Sequence, residues 1–388
     1  MMQSTYRVLD KDGKLIRASA VTIPRNRRET LRSKYADFWL MAELGEMAAL
    51  KVKGVLKEIL CDDVPGDAKP INTRWVHSIK SDHEGYVIRS RLVLLPLEIT
   101  RGPESIFWSF RASGTHVFVS DDAAALYLQL YGGDINTAYL NALLGIREYL
   151  MSIDGFLCEI DGHMYVVVKA LYGLRQSGRE WNLELNRWLL EQSYQRSLAE
   201  PCLYDRFDRD VIMLDQVNVD DIVVATNDEQ TKCKLFNEID NAYGIEDQGL
   251  YVQYLGIEVE QTEVHITICQ SKLAPLDEKE DLDTEFPYRQ AIGMLMYLAT
   301  GTRPDLAFVV GQLSRFVAKP SAKHVGTLQR VLKYLAGTVN YGIMYDRAKE
   351  RPSSIVMERY CDSDWANDPE TRNSTTGFVF VLAGGAVS

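Results

Sequence analysis

The sequence lacks the features that mark several classes of protein. No apolar run approaches the roughly 18 residues of a membrane span, and the polar N-terminus has no apolar signal-peptide core. The six cysteines lie far apart and form no Cys-x-x-Cys pair, so neither a disulfide framework nor a zinc knuckle is expected. We therefore expect an intracellular protein, cytoplasmic or nuclear, with no membrane partner.

Basic charge is in deficit, but its distribution is uneven. The 388-residue chain, long enough for two or three domains, has a net charge of −11, which argues against nucleic acid as a partner. Between Leu306 and Tyr345, however, no Asp or Glu occurs, although several Lys and Arg do. An acidic chain can therefore still present one basic face.

Two adjacent acids, Asp220 and Asp221, stand between short apolar runs. Residues 211–214 precede them and residues 222–225 follow, a pattern typical of a β-hairpin. Two ionised carboxylates at one hairpin tip repel each other, and a hard divalent cation such as Mg²⁺ would offset that charge. The alternative is a solvated turn, because Asp favours turns.

Hydrophobic periodicity predicts an α+β fold. Strand hairpins are expected within residues 71–95, 151–169, 203–225 and 252–269, and strand character returns after residue 354. Helices are expected from Asp37, from Asp121 into residues 126–130, over 178–192 and 230–243, and three times between 288 and 335. Residues 96–120 show no clear period and receive no assignment.

A third acid, Asp134, ends another strand-like stretch. If its strand neighbours the acidic hairpin, three carboxylates converge on one sheet edge, an arrangement suited to two divalent ions about 3.5–4 Å apart. Such ions activate an attacking hydroxyl and neutralise a leaving pyrophosphate. Spacing alone leaves the reaction open, since any phosphoryl-transfer enzyme, nuclease or metal phosphohydrolase could use these acids.

Six motifs narrow the choice because they occur in a defined order. They are Gly133-Asp-Ile-Asn-Thr-Ala-Tyr-Leu-Asn141, Ala170-Leu-Tyr-Gly-Leu-Arg-Gln-Ser-Gly-Arg-Glu-Trp181, Asn218-Val-Asp-Asp221, Tyr254-Leu-Gly-Ile257, Thr302-Arg-Pro-Asp305 and Tyr360-Cys-Asp-Ser-Asp-Trp-Ala-Asn-Asp368. Together they resemble the reverse transcriptase region of Ty1/copia-type retrotransposon Pol polyproteins, over most of the chain. The resemblance implies a polymerase right-hand fold of fingers, palm and thumb, followed by a truncated ribonuclease H-like β segment.

The resemblance also implies a domain order. It gives a basic lead-in at 1–34, fingers and palm at 35–275, an acidic linker at 276–287, a helical thumb or connection at 288–353, and the start of a ribonuclease H-like domain at 354–388. Only Asp362 of the ribonuclease H carboxylates is present, so we expect no ribonuclease H activity from this chain.

Residue roles follow from the same resemblance. Asp134, Asp220 and Asp221 would be the catalytic, metal-binding acids, with Mg²⁺ or Mn²⁺ as cofactor. The expected partners are an RNA template, a DNA primer and deoxynucleoside triphosphates. The substrate-binding residues would be Tyr139, Gln176, Arg89 and Arg91; the primer grip would be Tyr254, Leu255 and Gly256; and duplex binding would use Arg315, Lys323, Arg330 and Lys333.

Plainer interpretations of these residues stay open. Tyr254 and Leu255 would suit a sheet core, Arg89 a solvated position, and the basic residues a solvated helix face.

The chain also departs from the family pattern. Residues 94–121 do not match, Asn218 replaces a tyrosine, Gly133 precedes Asp134, and Asp215 and Gln216 put polar groups into an apolar strand. Two hypotheses result. The chain is either an RNA-directed DNA polymerase or a degenerate, inactive retroelement fragment that retains at most nucleic-acid binding.

Overall fold

A computed structural model describes residues 7–9, 13–81, 85–96, 112–254, 256–273, 287–347, 354–366 and 372–387. The chain divides into two compact units, Met1–Ile106 with Thr137–Trp188, and Phe107–Asn136 with Leu189–Ser388. Both units contain helices and sheets, so the expected α+β class is confirmed at that level. No helix in the described ranges combines the length and apolarity needed to cross a membrane.

The elements are numbered in chain order. The helices are α1 (Arg27–Arg32), α2 (Ala36–Val52), α3 (Ala112–Ala125), α4 (Ser177–Glu191), α5 (Glu229–Ala242), α6 (Tyr288–Gly301), α7 (Ala307–Ser314) and α8 (Ala322–Gly337). The first strands are β1 (Leu56–Leu60), β2 (Ile71–Ser81), β3 (Val87–Pro96), β4 (Gln129–Ile135), β5 (Leu143–Ser152), β6 (His163–Lys169), β7 (Gln195–Arg196), β8 (Leu203–Asp208) and β9 (Val211–Asn218). The later strands are β10 (Asp221–Thr226), β11 (Ile245–Leu250), β12 (Gln253–Tyr254), β13 (Ile257–Gln261), β14 (His265–Cys269), β15 (Gly342–Asp346), β16 (Glu358–Ser363), β17 (Thr376–Leu382) and β18 (Gly385–Ala386).

The first unit is built on a five-stranded sheet in the order β1-β6-β5-β2-β3. Its core includes Trp39, Leu50, Trp75 and Val167. The predicted hairpin at 71–95 is confirmed as β2 and β3. The basic lead-in, for which no helix was predicted, contains α1, because the Asn26 side chain accepts a hydrogen bond from the Glu29 backbone and caps the helix.

The second unit contains a six-stranded antiparallel sheet in the order β11-β4-β10-β9-β8-β7. Helix α3 packs on it: Val119, Ala123 and Ala124 share a core with Leu130 and Val223. A four-stranded sheet, β12-β13-β14-β15, joins the same core. The predicted hairpins at 203–225 and 252–269 are confirmed.

The helix predicted to begin at Asp121 and end within residues 126–130 is misplaced. The observed helix, α3, starts nine residues earlier at Ala112 and ends at Ala125, and β4 begins at Gln129. Small residues in its second half, such as Ala123 and Ala124, pack flat on the sheet and are fully buried. Tertiary burial stabilises this helix where the local sequence pattern gives no signal.

The three helices predicted after residue 287 are confirmed as α6, α7 and α8. The Thr302-Arg-Pro-Asp305 motif links them. The Arg303 guanidinium donates two hydrogen bonds to Asp305, at 2.9 and 2.7 Å, and two more to the carbonyl and hydroxyl of Thr338. Arg303 therefore ties the end of α8 to the loop between α6 and α7.

The last strands, β16, β17 and β18, form a three-stranded sheet of their own. This agrees with the strand character predicted after residue 354. The acidic linker at 276–287 lies outside the described residues except at Pro287, and the domain boundaries drawn from the sequence stay a prediction.

Candidate functional site

The acids Asp134 and Asp221 are direct partners across two hydrogen-bonded strands. In the register of β4 and β10, Asp221 stands opposite Asp134, and Asn218 of β9 stands opposite Asp221. Directly opposed residues in an antiparallel sheet point to the same face. The strand that carries Asp134 is therefore a neighbour of the acidic hairpin, which was the condition set by the sequence. The side chains of Asp134 and Asp221 are both half-buried.

Asp220 occupies the tight turn between β9 and β10. The turn consists of Val219 and Asp220, and the Asp220 carbonyl accepts a hydrogen bond of 2.6 Å from the Ile135 backbone. Val219 adopts φ 56°, a left-handed conformation that is costly for a β-branched residue. The sheet thus holds this turn in a strained conformation directly beside the acids.

Close approach of strands explains the unusual residue before Asp134. A Cβ added to Gly133 would lie 2.6 Å from the Ile245 Cδ1 and 3.1 Å from the Ile222 Cγ2. Glycine at this position lets β4 fit between the side chains of its two neighbours. Gly133, which departs from the family pattern, is therefore compatible with an intact sheet here.

A fourth carboxylate, Glu246, was not singled out in the sequence. On β11 it stands opposite Asp134, so Glu246, Asp134 and Asp221 form one row across three strands. No strand was predicted at residues 245–250, so nothing in the sequence distinguished this residue. Within the described ranges, no three His, Cys, Asp or Glu side chains converge closely enough to enclose a metal ion.

The donors nevertheless suit a hard cation in kind. Carboxylate oxygens are the ligands that Mg²⁺ and Mn²⁺ prefer, and the register brings two of them side by side on one face. Asp220 is added by the adjoining turn. The residues therefore match the ligand chemistry of such an ion.

The polar residues of β9 are buried, although an apolar strand was expected there. Asp215 is fully buried and lies on the face of β9 opposite to that of Asn218. Burial raises its pKa to about 7, while the Tyr194 hydroxyl and Arg206 act in the opposite direction. Neither carboxylate oxygen accepts a hydrogen bond of normal geometry in the described structure.

The loop of residues 171–177, which carries the predicted substrate-binding residue Gln176, lies in the first compact unit. Ser177 closes it, because the Ser177 hydroxyl accepts a hydrogen bond from the Leu171 backbone N–H and donates another to the Leu171 carbonyl. The Gln176 amide donates to the Glu148 carboxylate at 2.9 Å. The sequence did not reveal Glu148 as the partner of Gln176, because 28 residues separate the two side chains. It did not reveal the role of Ser177 either, which is a local contact between a side chain and the backbone.

Tyr139 belongs to the same unit. It lies in a short 3₁₀ turn, and its ring centroid is 4.8 Å from that of Tyr172. Gly178 lies next to its hydroxyl: a Cβ there would come within 3.6 Å of it. Tyr139 is half-buried.

The remaining predicted substrate and primer residues are placed through their backbone. Arg89 and Arg91 lie in β3, opposite Lys80 and Ser78 of β2. Tyr254 ends β12 and Gly256 turns the chain into β13 with φ 83°, while Leu255 lies outside the described residues.

The predicted duplex-binding residues are all exposed. Lys323, Arg330 and Lys333 project from α8, whose other face buries Leu328, Val331 and Leu335. Arg315, at the end of α7, is exposed as well. Asp362 is exposed on β16, and its carboxylate accepts a hydrogen bond of 2.8 Å from the Ser363 backbone.

Comparison with known proteins gives concordant matches. A family model described as reverse transcriptase (RNA-dependent DNA polymerase) matches residues 122–281. The chain is 27% identical over 407 aligned positions to the retrovirus-related Pol polyprotein from transposon TNT 1-94 of Nicotiana tabacum, covering 94% of this chain and 30% of that protein. It is 28% identical over 284 positions to the putative transposon Ty5-1 protein of Saccharomyces cerevisiae, covering 66% and 90% respectively.

One solved structure shows a weaker likeness. The foamy viral protease-reverse transcriptase in complex with double-stranded DNA aligns with 99% of this chain and 60% of its own, at 12% identity and a TM-score of 0.46.

The family match gives the class of the chain as a reverse transcriptase domain. Within that class, the chain belongs to the copia-type retrotransposon Pol family, and the resemblance inferred from its motifs is confirmed. It spans less than a third of the length of the tobacco polyprotein.

Proposed function

We propose that the chain is an RNA-directed DNA polymerase that adds deoxynucleotides to a DNA primer on an RNA template. The observation that carries this proposal is the pairing of Asp134 with Asp221 across β4 and β10, with Asp220 in the adjoining turn. Membership of the reverse transcriptase family gives these three acids a common purpose.

The parts of a right-handed polymerase are assigned on the same basis. The sheet of β4, β9 and β10 with α3 corresponds to the palm, and the β2–β3 hairpin corresponds to the fingers. Helices α6 to α8 correspond to the thumb or connection, and β16 to β18 to the start of a ribonuclease H-like domain.

Asp134, Asp220 and Asp221 would hold Mg²⁺ or Mn²⁺. When bound, the ions lower the pKa of the attacking primer hydroxyl and neutralise charge on the leaving pyrophosphate. The part of the chain itself is positioning. Its sheet fixes the Asp134 and Asp221 backbones in register, and the hydrogen bond from Ile135 fixes the Asp220 turn before substrate arrives.

Further residues would select and orient the substrates. Tyr139 would lie against the incoming sugar, where an aromatic ring excludes a 2′-hydroxyl by its bulk. Gln176, held by Glu148, would contact the nucleotide or its template base. Arg89 and Arg91 would bind the triphosphate as guanidinium donors.

Primer extension on a homopolymer RNA template tests the proposal. Wild type is compared with Asp220→Asn and with Asp208→Asn, an exposed aspartate at the end of β8. We expect extension with Mg²⁺ or Mn²⁺ by wild type and by the Asp208 variant, and at least a hundredfold loss, as an order of magnitude, in the Asp220 variant.

Two outcomes oppose the proposal. A folded wild-type protein that binds the duplex but extends no primer would identify the chain as a degenerate fragment. Equal extension by wild type and Asp220→Asn would assign the activity to other residues.

A further inference from the structure

Gln261, the last residue of β13, makes an unusual contact with the strand that carries Asp134. Its side-chain carbonyl accepts a hydrogen bond of 2.9 Å from the Leu130 backbone N–H. Its amide nitrogen donates to the carbonyls of Leu130 and Tyr251, each at 3.0 Å. One side chain therefore satisfies both backbone groups of Leu130, which lies four residues before Asp134 in β4.

The Gln261 side chain takes over from strand pairing at the point where β11 stops pairing with β4. Strand β11 pairs with β4 as far as Leu250, and the Tyr251 N–H still donates to the Leu130 carbonyl. The Gln261 amide then inserts between the Leu130 N–H and the Tyr251 carbonyl. Leu130 and Tyr251 are both buried, so these backbone groups need a partner within the protein.

Arg347 holds Gln261 from the other side. It follows β15, is only 7% exposed, and donates to the Leu128 carbonyl at 2.8 Å and to the Gln261 side-chain carbonyl at 3.5 Å. Its guanidinium lies 5.6 Å from the Tyr127 ring centroid. Within the described part of the chain, this buried cation is held by carbonyl dipoles and one aromatic ring.

We propose that the side chains of Gln261 and Arg347, together called the latch, hold the four-stranded sheet of β12 to β15 in a fixed position against β4. Gln261 and Arg347 are thus positioning residues: the latch sets where Gly256, in the predicted primer grip, places the primer end relative to Asp134. This inference rests on the proposed function, because a primer must be present to be positioned.

Short strand segments connect the latch to Gly256 on one side and to Asp134 on the other. Gly256 directly precedes β13, which runs from Ile257 to Gln261, and β4 continues from Leu130 to Asp134. Each path is four or five residues of extended chain, which is stiff along its length. Because a misplacement of about 1 Å at reacting atoms can cost roughly a hundredfold in rate, small slippage here is sufficient to matter.

Single-nucleotide addition kinetics test the positioning role. Gln261→Ala is compared with wild type and with Gln195→Ala, an exposed glutamine on β7. We expect the addition rate at saturating nucleotide to fall about tenfold in Gln261→Ala, while the duplex dissociation constant changes by less than about twofold. Gln261→Glu keeps the acceptor for Leu130 but removes both donated hydrogen bonds, and is expected to give an intermediate rate.

Amide hydrogen exchange on the full chain tests the latch independently of activity. Gln261→Ala and Arg347→Leu should each speed exchange in residues 129–135 and 251–261, and leave residues 203–208 as in wild type. Unchanged exchange in β4 would overturn the latch. Faster exchange in β4 with an unchanged addition rate would overturn the positioning role. An inactive wild type with faster exchange in the variants would refute the proposed function and with it the positioning role, while leaving the contact itself supported.

Discussion

At the scale of single residues, buried carboxyl groups stand out. Burial raises the pKa of Asp121 on α3 to about 8, with the neighbouring Asp122 charge adding to the effect, and raises that of Asp215 to about 7. Between its pKa in the unfolded chain and its raised pKa in the folded state, such a carboxyl group is protonated in the folded protein but ionised in the unfolded chain. Its stabilisation is therefore complete at low pH and is lost as pH rises through the folded pKa.

Removing the Asp215 charge should stabilise the protein at alkaline pH. The change from 3.8 to about 7 corresponds to a ceiling of about 4 kcal/mol, and we expect Asp215→Asn to raise the free energy of unfolding at pH 8 by about 2 kcal/mol. Toward pH 4 the difference from wild type should vanish. Urea unfolding between pH 4 and pH 8 measures both.

The exposed Asp208 on β8 provides the control, since Asp208→Asn should leave the profile unchanged. An Asp215→Asn profile that runs parallel to that of wild type over the whole range would contradict the burial argument.

At the scale of elements, two glycines in neighbouring elements should respond oppositely to the same substitution. A Cβ on Gly342 of β15 would overlap the Ile268 carbonyl oxygen of β14, whereas one on Gly326 of α8 would meet no atom within 4 Å. We expect Gly342→Ala to cost about 1–3 kcal/mol and Gly326→Ala to gain about 0.5–1 kcal/mol. Thermal unfolding of the two variants beside wild type checks both signs; equal shifts would contradict the close-approach argument.

The loop between α6 and α7 depends on the shape of a guanidinium. Arg303 is buried, and its guanidinium forms a two-pronged contact with the Asp305 carboxylate. Burial alone would raise the Asp305 pKa, but the hydrogen bonds from Arg303 and Tyr334 hold that pKa below its ordinary value. Lysine keeps the charge but not the fork. Arg303→Lys should therefore cost about 1–3 kcal/mol, measured by chemical denaturation.

Arg289→Lys, at an exposed position on α6, is the matched control and should be neutral within about 0.5 kcal/mol. A stability for Arg303→Lys equal to that of this control would show that charge alone suffices.

At the scale of the whole molecule, the acidic chain should bind nucleic acid through one local basic face. Each phosphate that a basic side chain neutralises adds about 0.9 to the steepness with which log affinity falls against log salt. A variant with Lys323, Arg330 and Lys333 all changed to Ala should therefore show a slope smaller by about 2–3, in anisotropy titrations with an RNA–DNA duplex. Lys234→Ala, exposed on α5, should leave the slope unchanged; a triple variant with the wild-type slope would place the duplex elsewhere.

Much of the fold was predictable because the signals are local. Hydrophobic periodicity located α4, α5 and the three helices after residue 287, and two short apolar runs around Asp220 located the β9–β10 hairpin. Ordered motifs identified the family. By contrast, α3 was misplaced and its first nine residues received no assignment, because its stability comes from burial against the sheet and its own pattern is weak.

The sequence by itself determined the family, several of the helices and hairpins, and the identity of three candidate acids. Only the tertiary structure decided that Asp134 stands opposite Asp221, that Glu246 extends the row, and that Gln261 with Arg347 holds β4. The physical reason is sequence distance. Strand register and side-chain contacts between remote segments depend on how whole elements pack, whereas periodicity reports only which face of each element is buried.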